Sequence, residues 1–169
     1  MNQKVNLWVD KKKVVHIFEL SGTNRKLFSA QFEGEEFDDT GGIQNAFSKV
    51  RADWNNPIWL WSFFTEFRQD YFDFYGSAKL NRIVIEAIEF ADDLFEELAK
   101  HAVKGDLESL FKPLENSENT LIYELQKLKA KGRERKSYLR LYAVRFRDEF
   151  VITGGAIKLT KIMKDRPHT

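Results

Sequence analysis

Apolar and polar residues alternate in three short runs near the start of the chain. These runs cover residues 4–9, 13–20 and 27–33, and all three are rich in β-branched and aromatic side chains. Alternation with a period of two is typical of half-buried strands, and the stretches between the runs are rich in turn-forming residues. The pattern therefore predicts three short strands in an antiparallel meander.

An acidic loop and two helices are predicted next. Residues 33–42 end in two glycines, and Thr40 is a candidate cap for a short helix that continues to about Val50. The sequence DWNNP at 53–57 is typical of a helix start, because proline fits the first helical turn without the loss of a hydrogen bond. Apolar residues then recur at helical spacing as far as residue 75, and Gly76 predicts the end of this helix.

The predicted helix at 57–75 is unusually aromatic. Ten aromatic residues lie between Trp54 and Tyr75, which is more than one face of a helix can bury. Two interpretations are open. In the first, these residues form the domain core and its margin. In the second, the surplus forms an interface for a partner, or for a second copy of the chain in a homo-oligomer.

The clearest helix is predicted for residues 78–103. Apolar residues recur there at intervals of three and four, and acidic residues between 86 and 97 fill many of the other positions. Carboxylates can bind metal ions, but no histidine or third carboxylate is placed to complete a site, so we favour a solvated helix face. The pattern then predicts a helix end at Gly105 and Asp106, a loop around Pro113 and 115–119, and a short helix at 120–130.

Strand-like alternation returns in the C-terminal part of the chain. Residues 138–146 form one predicted strand, 147–149 a tight connection and 150–153 the returning strand, and the pair Gly154–Gly155 is typical of a bulge or bend. The whole pattern predicts an α+β fold: N-terminal antiparallel strands, central helices that include the long helix near 78–103, and a C-terminal antiparallel β-hairpin packed on the helices. We expect a single domain, with the strands and aromatic helix in 1–77 and the long helix and hairpin in 78–169.

Composition excludes several classes of site. The chain of 169 residues is 43% hydrophobic and 31% charged, which is typical of one globular domain. It has no cysteine, so disulfides, zinc–thiolate sites and thiol nucleophiles are excluded. No signal peptide or membrane-spanning stretch is predicted, and we expect a soluble, cytoplasmic protein with no metal and no cofactor.

Charge is distributed unevenly along the chain. Residues 66–125 carry six basic and fourteen acidic side chains, a net charge of −8, whereas residues 126–169 carry thirteen basic and four acidic, a net charge of +9. Segregation of this kind indicates how a protein meets charged partners. A basic surface for a polyanion is the favoured interpretation, and pairing of the two segments with each other, within the fold or across a dimer, is the alternative.

The basic segment also contains aromatic residues, as nucleic-acid surfaces do. Basic side chains bind phosphates, and aromatic rings can stack on unpaired bases. Arg140 lies among apolar neighbours in a predicted strand, where it either faces a groove or forms a salt bridge to the acidic helix at 86–97. The predicted RNA-binding residues are Lys127, Lys129, Lys131, Arg133, Arg135, Lys136, Tyr138 and Tyr142.

The C-terminal part, about residues 92–169, resembles the RelE/HigB-like toxin superfamily. The resemblance lies in RLYAV at 140–144, VITGGAIK at 151–158 and the basic tail from Lys161 to Thr169. It implies a small bacterial α+β toxin of a type II toxin–antitoxin pair, which cleaves mRNA, often at the ribosome, and is neutralised by an antitoxin protein. Other branches of the superfamily act on DNA gyrase and are not nucleases.

Cleavage of RNA without a metal would need an acid or base and cations that stabilise the phosphorane. Arg140, Lys158, Lys161 and Arg166 are the candidate cations, and His168 is the candidate acid or base because it is the one histidine in the basic segment. His16 and His101 are interpreted as structural. Two functions therefore stay open: a metal-independent endoribonuclease, and a non-catalytic module that binds nucleic acid or protein through the basic hairpin.

Overall fold

The computed structural model describes residues 8–9, 11–76, 79–113, 122–125 and 137–159. The described residues form an α+β fold, as the sequence predicts. The strands are β1 (Trp8–Val9), β2 (Lys12–Glu19), β3 (Leu27–Phe32), β4 (Lys112–Pro113), β5 (Ile122–Leu125), β6 (Leu139–Phe146) and β7 (Glu149–Ile157); the helices are α1 (Ala46–Trp54), α2 (Pro57–Glu66), α3 (Arg68–Tyr75), α4 (Leu80–Lys104) and α5 (Leu107–Leu110).

The strands form a seven-stranded sheet in the order β1-β2-β3-β7-β6-β5-β4. The predicted antiparallel meander of β1, β2 and β3 is confirmed, and so is the antiparallel hairpin of β6 and β7. Between these two units, β3 and β7 pair in parallel, with Leu27 opposite Phe150 and Ser29 opposite Ile152. The centre of the sheet therefore joins the N-terminal and C-terminal parts of the chain.

Helices α1, α2 and α4 pack on one face of the sheet. Side chains of alternate strand residues, such as Leu27, Leu141 and Ile152, form the main core with Trp54 from α1 and Phe64 from α2. A smaller, separate cluster consists of Val14, Ala30, Phe32 and Val151 from the strands and Ala46 from the start of α1. Helix α1 therefore contributes to both apolar clusters.

The first helix begins later than the pattern predicts. The cap of α1 is Asn45, which forms a capping box with Ser48, so the prediction that Thr40 caps this helix is wrong. Thr40 instead donates a hydrogen bond to Asp38, 2.6 Å away, within the preceding loop. The helix start at Pro57 is confirmed, because the Asn56 side chain accepts hydrogen bonds from the first turn of α2.

The aromatic helix predicted at 57–75 is two helices, α2 and α3, divided at Phe67. Most of its aromatic side chains with described positions are buried or half-buried, as the core interpretation predicts. Ile58, Trp61 and Phe72 are exposed. An oligomer through this segment stays a prediction.

The long helix is confirmed as α4, and Gly105 ends it in a left-handed conformation with φ of 82°. The short helix predicted at 120–130 is wrong for residues 122–125, because they form β5 and pair with Leu141–Val144 of β6. Residues 120–121 and 126–130 of that prediction lie outside the described residues. None of the described helices has the length and apolar character needed to cross a membrane.

The bulge predicted near Gly154 and Gly155 is present one residue earlier. Tyr142 pairs with Gly154 and Ala143 pairs with Ile152, so Thr153 has no partner in the β6–β7 ladder. Strand β7 continues through the two glycines to Ile157. The bulge lies where β7 and β3 cease to pair, and this position determines the site described below.

Candidate functional site

The β6–β7 hairpin brings the attachment points of two basic segments together. Residues 127–136 carry six basic and one acidic side chain and lead into Ser137, and residues 158–166 carry four basic and one acidic and leave at the end of β7. Leu139 pairs with Ile157, and the backbone N–H of Lys158 donates to the carbonyl of Tyr138 over 2.7 Å. Both segments therefore join the sheet at the same end of one hairpin.

Most of the predicted RNA-binding and catalytic residues lie outside the described part of the chain. The structure describes Tyr138, Arg140, Tyr142 and Lys158. The others are Lys127, Lys129, Lys131, Arg133, Arg135, Lys136, Lys161, Arg166 and His168, and their roles stay predictions. Lys158 is half-buried and stands directly at the point where the two segments join the sheet.

Tyr138 is part of the core and does not form a nucleic-acid surface. Its side chain is fully buried, and its ring lies 5.3 Å from the ring of Phe90, 5.7 Å from that of Phe64 and 6.0 Å from that of Tyr71. These aromatic contacts leave no ring face open to a base in this conformation. Tyr142 is half-buried and pairs with Gly154, so it is the tyrosine of the hairpin that solvent can reach.

Arg140 is also buried, with 9% of its surface exposed. Its Nη1 donates hydrogen bonds to the carbonyls of Ser137 and Leu139, at 2.7 and 2.8 Å. These two bonds hold the chain where it enters β6, and neither goes to a carboxylate of the acidic helix. Backbone carbonyls hold the Nη1 atom of Arg140 in this conformation, and the predicted roles of Arg140 at an RNA phosphate or in a salt bridge stay predictions.

A second candidate site is a pocket of about 240 Å³ beside the bulge in β7. Because the parallel pairing of β3 and β7 covers only Leu27–Ser29 and Phe150–Ile152, the carboxyl ends of the two strands separate beyond it, and α1 lies over the gap. Ligands of α/β sheets often bind in a crevice of this kind. The lining residues are Lys12, Phe32, Glu35, Ala46, Lys49, Val50, Asp53, Thr153, Gly154 and Gly155.

Four charged side chains surround this pocket. Glu35 pairs with Lys12 and lies 3.7 Å from Lys49, and the hydrogen bond from Lys12 is the largest influence that lowers the pKa of Glu35. Asp53 differs from Glu35, because burial raises its pKa and the charge of Lys49 only partly opposes this effect. In the described part of the chain, the Asp53 carboxylate accepts no hydrogen bond and forms no ion pair.

A partial signal for this pocket is present in the sequence. Lys49 and Asp53 are four residues apart, so they share one face of any helix that contains both. The pattern at 53–57 predicts that Asp53 belongs to a helix start, although it lies in the last turn of α1. Lys12, Glu35 and Gly154 come from three other segments, and only the folded sheet brings them to the same place.

His101, Asp106 and Ser109 meet at the end of α4. His101 Nδ1 lies 2.7 Å from Asp106 Oδ1 and 3.1 Å from Ser109 Oγ. A nucleophilic relay needs the carboxylate and the hydroxyl on opposite ring nitrogens, whereas both contact the same nitrogen here. The cluster therefore fixes the turn that follows α4, as the structural interpretation of His101 predicts.

No group of three or more histidine, aspartate or glutamate side chains that could hold a metal ion is present among the described residues. No protein-family model, no curated protein and no solved structure matches this chain, so its function is argued from the geometry of the hairpin and the pocket.

Proposed function

We propose that this protein binds single-stranded RNA through the basic residues that flank the β6–β7 hairpin. The observation that carries the proposal is the backbone hydrogen bond between Lys158 and Tyr138, because Lys158 begins one basic segment and Tyr138 follows the other by two residues. The two segments, 127–136 and 158–166, contain ten basic side chains in the sequence. Such a concentration of cations is the chemistry that recognises a polyphosphate backbone.

Binding is proposed in preference to cleavage. Arg140 is the member of the predicted catalytic set that lies in β6, and its Nη1 atom donates hydrogen bonds to two backbone carbonyls. Tyr138 lies in the core. The toxin assignment remains a narrower hypothesis: it requires an adjacent gene for an antitoxin, growth arrest on induction, and loss of mRNA. Induction that leaves growth and transcripts normal would remove it without touching the binding proposal.

The test is the salt dependence of RNA affinity. For single-stranded RNA, the slope of log K against log salt is about −0.7 for each phosphate contact. Changing Lys158 and Lys161 to Gln should make the slope shallower by about 1.4. Fluorescence anisotropy with a labelled oligoribonucleotide in EDTA measures the slope, and gel analysis of the same samples detects any cleavage.

The matched control changes Lys100 and Lys104 to Gln. These exposed lysines lie at the end of α4 and outside both basic segments, so the net charge falls by the same amount without a change in either segment. The slope of log K against log salt should be the same for this control as for the unchanged protein. An equal decrease of the slope in both variants would contradict a binding surface at the hairpin. An RNA affinity of the unchanged protein that does not vary with salt would also contradict it.

A further inference from the structure

The pocket between β3 and β7 is small and is lined by both apolar and charged residues. Its volume of about 240 Å³ is below the range of roughly 300–1,000 Å³ for pockets that enclose a drug-sized ligand. Phe32, Ala46 and Val50 are buried apolar residues that line it, and the backbone at Gly154 adds no side chain. A single planar ring system fits these dimensions, whereas a whole dinucleotide does not.

The charges of the pocket favour a neutral ligand. Lys12 and Lys49 balance Glu35 and Asp53 in formal charge, so neither a cation nor an anion has a net attraction to the pocket. A cationic group near Asp53 would also meet Lys49, and an anionic group near Lys49 would also meet Asp53. A neutral ligand that offers donors to the carboxylate and an acceptor to the lysine satisfies both.

Asp53 is the carboxylate in this pocket that has no hydrogen-bond partner among the described residues. Glu35 is held by two lysines, but the half-buried Asp53 carboxylate accepts no hydrogen bond among the described residues. A carboxylate has two acceptor oxygens and is costly to bury without donors. Two adjacent N–H donors on the edge of a flat ring would satisfy it in the bidentate manner.

We propose that this pocket binds a guanine base, with Asp53 accepting from N1–H and the 2-amino group and Lys49 donating to O6. Guanine is the standard base that offers two adjacent donors next to a carbonyl acceptor. An unpaired base is read on this edge by proteins that bind single-stranded RNA.

The pocket is close to the proposed RNA-binding surface. Gly154 precedes Lys158 by four residues, which is about 13 Å of extended strand. A strand held by the basic segments could therefore place one of its bases in the pocket. The inference rests on the proposed function for the source of the base, but the pocket itself can be tested with a free nucleoside.

The first test compares three oligoribonucleotides that differ at one position, which carries guanine, hypoxanthine or adenine. Hypoxanthine lacks the 2-amino group, so one hydrogen bond to a charged acceptor is lost and affinity should fall about tenfold. Asp53→Asn should bind all three with similar affinity. Asp92→Asn, which removes an exposed carboxylate of α4 outside the pocket, should keep the preference for guanine.

Thermal unfolding of Asp53→Asn tests whether this variant loses its preference for guanine without losing its fold. Because burial raises the pKa of Asp53, its ionised form opposes folding above the ordinary carboxyl pKa. The variant should therefore unfold at the same temperature as the unchanged protein or higher at neutral pH. A lower unfolding temperature would mean that Asp53 has a stabilising partner, and would overturn the inference.

The remaining outcomes separate this inference from the proposed function. Equal affinity for the three RNAs with a steep salt dependence overturns the guanine pocket and leaves RNA binding in place. If no RNA binds, guanosine is titrated into the protein, and NMR measures the chemical shifts of the backbone amides of Thr153, Gly154 and Gly155. Saturable shifts with guanosine and not with adenosine support a site for a free nucleoside, and no shifts overturn the pocket.

Discussion

Replacement of Gly155 by alanine tests how tightly α1 is seated on β7. A Cβ at this position would lie 2.8 Å from Cζ2 and 3.0 Å from Cη2 of Trp54, and 3.0 Å from Cγ1 of Val50. Comfortable contacts between carbon atoms are about 3.5–4.0 Å, so the indole or the strand must move by about 0.7 Å. Trp54 is 2% exposed and its ring is stacked on Phe95, which limits that movement.

The expected result is a loss of stability. Overpacking of a core typically costs about 1–3 kcal/mol. Alanine also restricts the unfolded chain, which without a clash would stabilise the protein by about 0.4–1 kcal/mol. The net loss should be about 1–2 kcal/mol, or about 2–8 °C in Tm for a chain of this size. Urea unfolding followed by far-UV circular dichroism measures it.

A double-mutant cycle identifies the cause. Trp54→Phe removes the indole atoms nearest to the new Cβ, so Gly155→Ala should cost at least 0.5 kcal/mol less in that background. Additive costs would show that the clash with Trp54 is not responsible. A Gly155→Ala protein more stable than the original would refute the packing argument, since only the effect on the unfolded chain would remain.

Two further predictions concern buried and paired charges. The pKa of Glu35 is lowered mainly by Lys12, so the stabilisation from this carboxylate is present above its ordinary pKa of 4.5 and is lost as the pH falls through the lowered value. The difference in Tm between the unchanged protein and Glu35→Gln should therefore disappear on acidification. A difference in Tm that stays constant with pH would contradict this prediction. Arg140→Ala should destabilise the protein by about 1.5–3 kcal/mol because two charge-assisted hydrogen bonds are lost, and an unchanged urea midpoint would show that Arg140 does not hold the hairpin.

Local patterns predicted the elements whose burial repeats regularly. The spacing of apolar residues identified α4 to within two residues, and alternation identified β2, β3 and the β6–β7 hairpin. The helix prediction is wrong for residues 122–125, because their apolar spacing is compatible with a helix whereas pairing with β6 determines their conformation.

The candidate site was only partly predictable. The predicted strand includes Tyr138, but β6 starts at Leu139 and Tyr138 lies in the core. That the two basic segments attach at the same end of the hairpin follows from the pairing of β6 with β7, and it was predictable in outline. The pocket was not, because it depends on the parallel pairing of two strands that are more than a hundred residues apart in sequence.

That parallel pair also affects how fast the protein can fold. The two strands at the middle of the sheet are separated in the chain by all five helices and by β4, β5 and β6, so the central hydrogen bonds close a very long loop. Topologies with distant contacts fold slowly. Until β3 arrives, the edge of β7 at Phe150–Ile152 is open to other chains, so early aggregation would begin at the future centre of the native sheet.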